Sequence, residues 1–484
     1  MQSNSAPKLS RDGLLAEQTN LGLRSWQLPA VLVFICCIIV SVYQYYSLKY
    51  ADLFLASVLF PASVGVFALI LYTRPFLKYS EVKLLGVLFV WMVLGLFFND
   101  WRLEKAFSNT WFYCACVTTF LCFSLPYAFD KETLKKALSI LAVAMLASAT
   151  LLSAAALAIV FGGVHVPEAI AKIGYVGLNT DGRLWMVSHP NTVAPICGAA
   201  IILAGYLLTR TKKWLTRAFL ILCAVVCYSA MSLTDSRTGI LSTTLGVALE
   251  FFLLFNLSFA KIKRAGGRIL LSLAAAALCI GVFYFGTNIV RFVYNNTFVA
   301  HSATDDATVE DAAVEDAASS NTVSNPNTET DLAVNRGLDK VDSFNGRTEI
   351  WKGALRGLKE NPDILLTGTT PIISGSVMAQ YFPKNSPIGN FHSSFVAALV
   401  SFGIPGFAVM LAFFVMLAIS AARLSFTKLL EKDSLAARMV PAILLFAVSE
   451  SMMEVFLFVE FSLNVVWIWF LFAAGFVFRM QKSE

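Results

Sequence analysis

The chain has 484 residues, of which 57% are hydrophobic and only 14% are charged, and its formal net charge is +6. Soluble domains carry about 25% charged residues, so this composition excludes a water-soluble enzyme or binding module, and nothing in it indicates nucleic-acid binding. It predicts an all-α polytopic membrane protein.

Twelve stretches of the sequence are apolar enough to cross a membrane, a crossing that takes about 20 residues. They lie between a polar tail, residues 1–25, and a short tail, residues 479–484. The first stretch is too long for the apolar part of a cleaved signal peptide, so we expect an uncleaved anchor. The predicted helices are residues 26–47, 53–73, 83–99, 110–128, 138–161, 190–209, 214–233, 239–259, 269–289, 392–422, 439–458 and 461–478.

The tenth stretch, residues 392–422, is longer than one crossing requires. It contains Gly403, Pro405 and Gly406, and a proline inside a helix removes a backbone hydrogen bond. We therefore predict a kink or a break within this helix.

The distribution of Lys and Arg predicts the orientation, because cytoplasmic loops of membrane proteins are enriched in both. With the N-terminus in the cytoplasm, 23 of the 37 Lys and Arg residues fall in cytoplasmic segments and 6 in short outer loops. The remainder lie in one long outer loop, to which the rule does not apply. Both termini are therefore predicted to be cytoplasmic.

This large outer loop, residues 290–391, separates helices 1–9 (residues 26–289) from helices 10–12 (residues 392–478). Its residues 302–335 contain the tandem VEDAAVEDAA and no basic residue, which is typical of a disordered insert. An amphipathic helix follows at residues 346–361 and suits the membrane surface or the top of the bundle. Its predicted apolar face consists of Ile350, Trp351, Ala354, Leu355 and Leu358.

Seven polar side chains lie at the predicted outer ends of helices, where a charge close to membrane depth calls for an explanation. The orientation was assigned without using them, so their common side favours one shared site. They are Arg183 and His189 before helix six, Asp235 and Arg237 before helix eight, Arg347 and Glu349 on the amphipathic helix, and His392 before helix ten.

Arginine and histidine at helix starts suit a site for a pyrophosphate at the membrane surface. Arg binds phosphate bidentately and keeps its charge, and a helix N-terminus adds free N–H groups. Arg237 and Arg347 combine both features, which indicates pyrophosphate binding. Histidine ordinarily titrates near neutral pH, so His392 is a candidate general base.

Each of these residues also has a purely structural interpretation. Arg237 could extend to the membrane interface or pair with Asp235, and Arg347 could simply be solvated. His189 and His392 could cap the helices that follow them. These residues, above all the two arginines and His392, therefore point to a site only when they are taken together.

Three short motifs resemble the superfamily of O-antigen ligases and polymerases: DSRTGIL at 235–241, GRTEIW at 346–351 and FHSSFVAALVSFGIPG at 391–406. SHPN at 188–191 resembles a further feature of that family, as do the twelve helices and the position of the large loop. One departure is Ser393, because Asn normally follows the family's histidine.

The resemblance implies a GT-C-like fold and an O-antigen ligase of lipopolysaccharide biosynthesis, in the bacterial inner membrane with its active site facing the periplasm. The donor would be a glycan on undecaprenyl diphosphate and the acceptor a sugar of lipid A–core. Transfer would invert the anomeric centre without a metal or another cofactor. By motif, Arg237 and Arg347 would bind the diphosphate and His392 would deprotonate the acceptor hydroxyl. The supporting candidates are Arg183, His189, Ser393 and Glu349.

Other functions stay open. A polymerase of the same superfamily would extend a lipid-linked glycan, and a protein-directed relative, which the short C-terminal tail disfavours, would glycosylate a pilin. A lipid-linked glycan transporter would carry charges near the membrane midplane. Three acids do lie inside predicted helices, namely Glu250, Glu450 and Glu454, but we interpret them as structural hydrogen-bonding groups. The glycan, the acceptor linkage and the oligomeric state are not determined.

Overall fold

A computed structural model of the protein describes most of the predicted helices. The N-terminal tail, the acidic insert 302–335 and the outer loop between residues 297 and 346 lie outside the described residues. The described residues are 27–43, 55–73, 76–98, 113, 116–162, 176–178, 183–186, 189–258, 265–296, 347–371, 374–382, 391–427, 435–455, 457 and 466–480.

The described residues are almost entirely helical, so the predicted helical membrane fold is confirmed. Two short strands, β1 (Val176–Leu178) and β2 (Leu184–Met186), form an antiparallel ribbon that the sequence analysis did not predict. The helices are α1 (Gln27–Tyr43), α2 (Phe60–Thr73), α3 (Ser80–Phe98), α4 (Lys131–Gly162), α5 (Pro190–Arg210), α6 (Trp214–Leu233), α7 (Arg237–Ser258), α8 (Ala265–Tyr294), α9 (Arg347–Glu360), α10 (Pro362–Thr367), α11 (Ser374–Met378), α12 (Ser394–Thr427), α13 (Leu435–Met453) and α14 (Val466–Met480).

Among the described residues, seven helices are long and apolar enough to cross a membrane, and three shorter apolar helices accompany them. The chain is therefore a multi-pass membrane protein, whereas the total of twelve crossings and the position of the large loop stay predictions. The seven are Ala56–Thr73, Lys131–Gly162, Pro190–Arg210, Trp214–Leu233, Arg237–Asn256, Ala265–Tyr294 and Ser394–Ser425, and the shorter three are Gln27–Cys37, Met439–Met453 and Trp467–Arg479.

The chain divides into two compact units. The first comprises Met1–Gln44, Leu48–Met145 and Gly346–Glu484, and so contains α1–α3, the start of α4 and α9–α14. The second comprises Tyr45–Ser47 and Leu146–Asn345, and so contains the rest of α4, the ribbon and α5–α8.

The interior of the first unit is built largely from aromatic side chains. Phe413 of α12 lies 5.7 Å from Phe123, 5.7 Å from Trp469 and 5.8 Å from Phe476, measured between ring centroids. All four side chains are fully buried. Large rings of this kind bury much apolar area and favour tilted or edge-on contacts, so they fix α12 against α14.

Helix α12 is interrupted at Gly403, which confirms the predicted break. Gly403 has φ 64° and ψ −176°, a backbone conformation outside the helical region. A Cβ atom there would meet the carbonyl oxygen of Leu366 at 2.7 Å and the amide nitrogen of Gly368 at 2.9 Å. Glycine is required because the conformation and the close approach both exclude a side chain.

The backbone carbonyls released by this break find other donors. Thr369 and Thr370 donate their N–H groups to the carbonyls of Val400 and Ser401, each at 2.9 Å. The Trp91 indole donates to the carbonyl of Phe402 at 2.7 Å. A broken helix at membrane depth is tolerated only when its free backbone groups are bonded in this way.

Helix α9 is amphipathic, with a buried face that differs from the predicted one. Ile350, Ala354 and Leu358 are buried, and Gly353 and Gly357 complete the face. Both glycines lie close to Tyr381, where a Cβ atom would collide with its backbone or ring.

The buried residues of α9 do not include Leu355, which the sequence predicts on the apolar face. Five residues correspond to about 140° around a helix with 3.6 residues per turn, so Leu355 points away from Ile350. The buried face therefore recruits the two small residues Gly353 and Gly357 instead.

The second unit is organised around α5, which is buried along most of its length. Gly239 of α7 lies against Ala194 of α5 so closely that a Cβ atom would overlap the Ala194 side chain. By contrast α8 is exposed along most of its length, as expected for a helix that faces lipid. The close α5–α7 contact lies in the first turn of α7, whose first residue is Arg237.

Candidate functional site

His392 lies just before α12, in an unusual backbone conformation. Its φ of 47° is in the left-handed region, which few non-glycine residues adopt and which recurs at functional sites. The Nδ1 atom of its ring lies 3.1 Å from the Oε2 atom of Glu454. The Trp351 indole donates to the carbonyl of the preceding residue, Phe391, at 2.8 Å, which restrains the backbone that carries the ring.

Arg347 is the first residue of α9 and contacts the same carboxylate. Its Nη2 atom forms an ion pair with the Oε1 atom of Glu454. The side chains of Arg347, His392 and Glu454 are 12%, 19% and 9% exposed, so the group is largely shielded from solvent. The structure thus brings two of the predicted site residues together on one buried acid.

Glu454 is a residue whose place the sequence analysis missed. Helix α13 ends at Met453, so the predicted end near residue 458 is wrong, and Glu454 follows the helix rather than lying inside it. The error arose because the apolar sequence continues past Glu454, and hydropathy alone shows no boundary there. The available signal was the acid itself, which is costly in a membrane helix and marks functional sites there.

The backbone around Glu454 is joined to the start of α12. The Ser394 N–H and hydroxyl both donate to the Glu454 carbonyl, each at 3.1 Å. The Leu457 N–H donates to the Ser394 hydroxyl at 3.2 Å, and the Glu454 N–H donates to the Glu450 carbonyl at 2.9 Å. This arrangement satisfies a free N–H of the α12 start and fixes the carboxylate opposite His392.

Ser393 performs the capping role that its position requires. The Val396 N–H faces the Ser393 hydroxyl at 3.5 Å, and the Ala397 N–H donates to the Ser393 carbonyl at 3.0 Å. Ser and Asn are both strong N-cap residues, so the departure from the family's Asn preserves the helix start.

Glu349, a predicted supporting residue, faces outward. Its carboxylate pairs with the ammonium of Lys352 at 2.7 Å, and both side chains are more than half exposed. The structure therefore places Glu349 on the solvent side of α9, away from the carboxylate of Glu454.

The remaining predicted residues belong to the second unit. Arg237 begins α7 after a short turn in which Asp235 adopts φ 49°. The Asp235 carboxylate pairs with Arg291 at 2.6 Å, and the Arg291 Nε atom donates to the Ser232 carbonyl at 3.0 Å. Arg183 donates from Nε to the Thr234 carbonyl at 2.9 Å. Two buried or half-buried arginines thus hold the turn that presents Arg237.

Arg291 is the second residue that the sequence analysis missed. It lies in the last turn of α8, and the predicted ninth helix stopped before it. An Arg at the end of an apolar helix is ordinarily an interfacial side chain, so only the contact with Asp235 reveals its role. From the sequence, Arg237 is a candidate partner of Asp235. In the structure, Asp235 pairs with Arg291.

His189 has the capping role that its sequence left open. Its Nδ1 atom accepts a hydrogen bond from the Asn191 N–H at 3.2 Å at the start of α5. Arg183 donates from Nη2 to the Asn191 side-chain oxygen at 2.6 Å. Arg183 and His189 therefore converge on Asn191, and both act on the local backbone of the second unit.

Within the described ranges, no group of three or more His, Cys, Asp or Glu side chains is close enough to hold a metal ion. The cluster of Arg347, His392 and Glu454 instead offers a cation, a base and an anion. Such a set can bind an anionic leaving group and accept a proton.

The comparisons with known proteins agree with the motifs. The model of a family described as O-antigen ligase matches residues 218–411, a range that includes Arg237, Arg347 and His392. No curated protein matches the chain significantly. Over residues 218–411, this chain is similar to the O-antigen ligase family.

Proposed function

We propose that this protein is an O-antigen ligase, which transfers a polysaccharide from undecaprenyl diphosphate to a sugar of lipid A–core. The family match supports an enzyme of the ligase and polymerase type. The observation that carries the proposal is the convergence of Arg347 and His392 on Glu454. By the predicted orientation, this cluster faces the periplasm of the bacterial inner membrane.

The proposed reaction is a single inverting displacement. His392 takes the proton from an acceptor hydroxyl as that oxygen attacks the anomeric carbon of the donor glycan. A new glycosidic C–O bond forms while the C–O bond to the diphosphate breaks, and undecaprenyl diphosphate leaves with the electron pair.

Arg347 is proposed to stabilise the negative charge that develops on the leaving diphosphate. A guanidinium is permanently charged and bonds two phosphate oxygens at once, and its place in the first turn of α9 adds the field of a helix N-terminus. Arg237 has the corresponding place at the start of α7 and is proposed as a phosphate-binding residue of the second unit. No step requires a metal ion, so we expect transfer to persist in a strong chelator.

Reconstitution of the purified protein in lipid vesicles tests this function. The vesicles contain a lipid-linked glycan and purified lipid A–core, and the products are separated by size. Glycan attached to lipid A–core supports the ligase. Longer lipid-linked glycan identifies a polymerase, and translocated but unmodified lipid-linked glycan identifies a transporter.

A further inference from the structure

The carboxylate of Glu454 joins two groups to which the proposed function gives separate tasks. Its Oε2 atom lies 3.1 Å from Nδ1 of His392, and its Oε1 atom pairs with Arg347. The three side chains come from three places in the fold: the segment that follows α13, the segment that precedes α12 and the start of α9. A buried carboxylate is costly unless it is paired and hydrogen-bonded, and here both oxygens have a cationic or N–H partner.

The position of this carboxylate is set by the backbone. Ser394 donates two hydrogen bonds to the Glu454 carbonyl, and Glu454 donates its own N–H to Glu450. The first residue of α12 is thereby tied to the residue that follows α13. Because His392 precedes Ser394 by two residues, the ring and its carboxylate partner are held by the same backbone contact.

An ionised carboxylate only accepts hydrogen bonds, so the Nδ1 atom of His392 must carry a proton in this contact. In the neutral ring, the second nitrogen, Nε2, then carries no proton and is the basic atom. An acid that orients a histidine in this way also stabilises the imidazolium that forms when the ring accepts a proton. The acceptor proton would move to Nε2, and Glu454 would stay ionised throughout.

We propose that Glu454 is the positioning residue of this site. It holds His392 in the tautomer that acts as a base, and it holds Arg347 beside that base. This role rests on the proposed function, since it assumes that His392 accepts the proton of the acceptor. The alternative is that Glu454 has a purely structural role, in which its contacts with Arg347 and His392 only hold the ends of α9, α12 and α13 together.

The first test examines the tautomer directly and does not depend on activity. Nitrogen-15 NMR of protein labelled at histidine distinguishes a protonated ring nitrogen from an unprotonated one. The chain has only four histidines, so a His392→Gln variant assigns the signals of His392. We expect a proton on Nδ1 of His392 in the wild-type protein and a changed tautomer ratio in Glu454→Gln. A proton on Nε2 in the wild-type protein would overturn the proposal, whatever the protein transfers.

The second test compares Glu454 variants in the vesicle assay. Glu454→Gln keeps the size of the side chain but loses its charge, and we expect kcat to fall by about 10²–10⁴-fold, with a smaller change in the KM for the donor. Glu454→Asp restores the carboxylate with a shorter reach, so its kcat should lie between those of Glu454→Gln and the wild type.

Glu450→Gln is the matched control, because Glu450 is a fully buried acid in the last turn of α13, four residues before Glu454. We expect this variant to keep wild-type kcat. If Glu454→Gln folds and transfers as fast as Glu450→Gln, the positioning role is wrong even though the ligase function stands. If the tautomer depends on Glu454 but the wild-type protein attaches no glycan to lipid A–core, the ligase function is wrong, and only the control of the His392 tautomer by Glu454 stands.

Discussion

Arg291 holds Asp235 in a buried ion pair, with the guanidinium Nη2 atom 2.6 Å from the carboxylate Oδ1 atom. The Asp235 side chain is 2% exposed, so its carboxylate is shielded from solvent and faces this cation instead. Arg291 also bonds the carbonyl of Ser232 and so holds the end of α6. The pair therefore stabilises the strained turn from which Arg237 extends.

Replacing Arg291 by Ala should lower the free energy of unfolding by about 3–5 kcal/mol, because it leaves a buried carboxylate without its cation. Thermal unfolding in detergent measures this loss. Adding Asp235→Asn removes the uncompensated charge, so the double variant should be more stable than Arg291→Ala alone. A melting temperature of Arg291→Ala equal to that of the wild type would show that the ion pair contributes nothing.

Replacing Gly403 by Ala should destabilise the first unit by about 2 kcal/mol or more. Alanine is strained at the positive φ of this position. Its Cβ atom would also collide with the backbone of Leu366 and Gly368. Gly86→Ala is the matched control, because a Cβ atom at Gly86 of α3 meets nothing within 4 Å. In a helix interior that control should be neutral or stabilise by about 0.5–1 kcal/mol. Equal thermal stability of the two variants would contradict the required break in α12.

Replacing Ser393 by Ala should remove the side-chain cap of α12 and lower stability by about 1 kcal/mol. Because His392 precedes the cap directly, transfer should fall as well. Ser393→Asn keeps a capping side chain and should retain both stability and activity. The capping account would fail if the Asn and Ala variants lost activity to the same extent.

Replacing Arg347 by Lys should lower the transfer rate by about 10²-fold or more, because an ammonium cannot bond two phosphate oxygens in the fixed geometry of a guanidinium. Initial rates at varied donor concentration separate the effect on kcat from the effect on KM. Arg356→Lys, at an exposed position of the same helix, should retain the wild-type rate. A rate for Arg347→Lys equal to that of Arg356→Lys would remove Arg347 from the site.

Local patterns in the sequence predict much of this fold. Apolar runs locate the helices, and Gly403 with Pro405 predicts the break in α12, because these signals act through the backbone of a single segment. Positions that tertiary packing determines are harder to predict from the sequence. The sequence predicts Leu355 on the apolar face of α9. Gly353 and Gly357 are buried on the packed face instead, because they allow a closer approach to Tyr381.

The site itself shows the same division. His392 and Arg347 are recognisable because each stands at the start of a helix, within a short motif. Glu454 is not, because its role depends on where α13 ends and on a backbone contact with Ser394, sixty residues earlier in the chain. Arg291 likewise becomes interpretable only through Asp235, to which no sequence spacing connects it.

The central claim is that His392 is the base for glycan transfer to lipid A–core. The most direct measurement is a single-turnover assay in vesicles with lipid-linked glycan and lipid A–core, comparing the wild type with a folded His392→Ala variant. The account predicts glycan on lipid A–core for the wild type and a rate lower by at least about 10²-fold for His392→Ala. Near-normal transfer by His392→Ala, or a wild-type product that never contains lipid A–core, would contradict it.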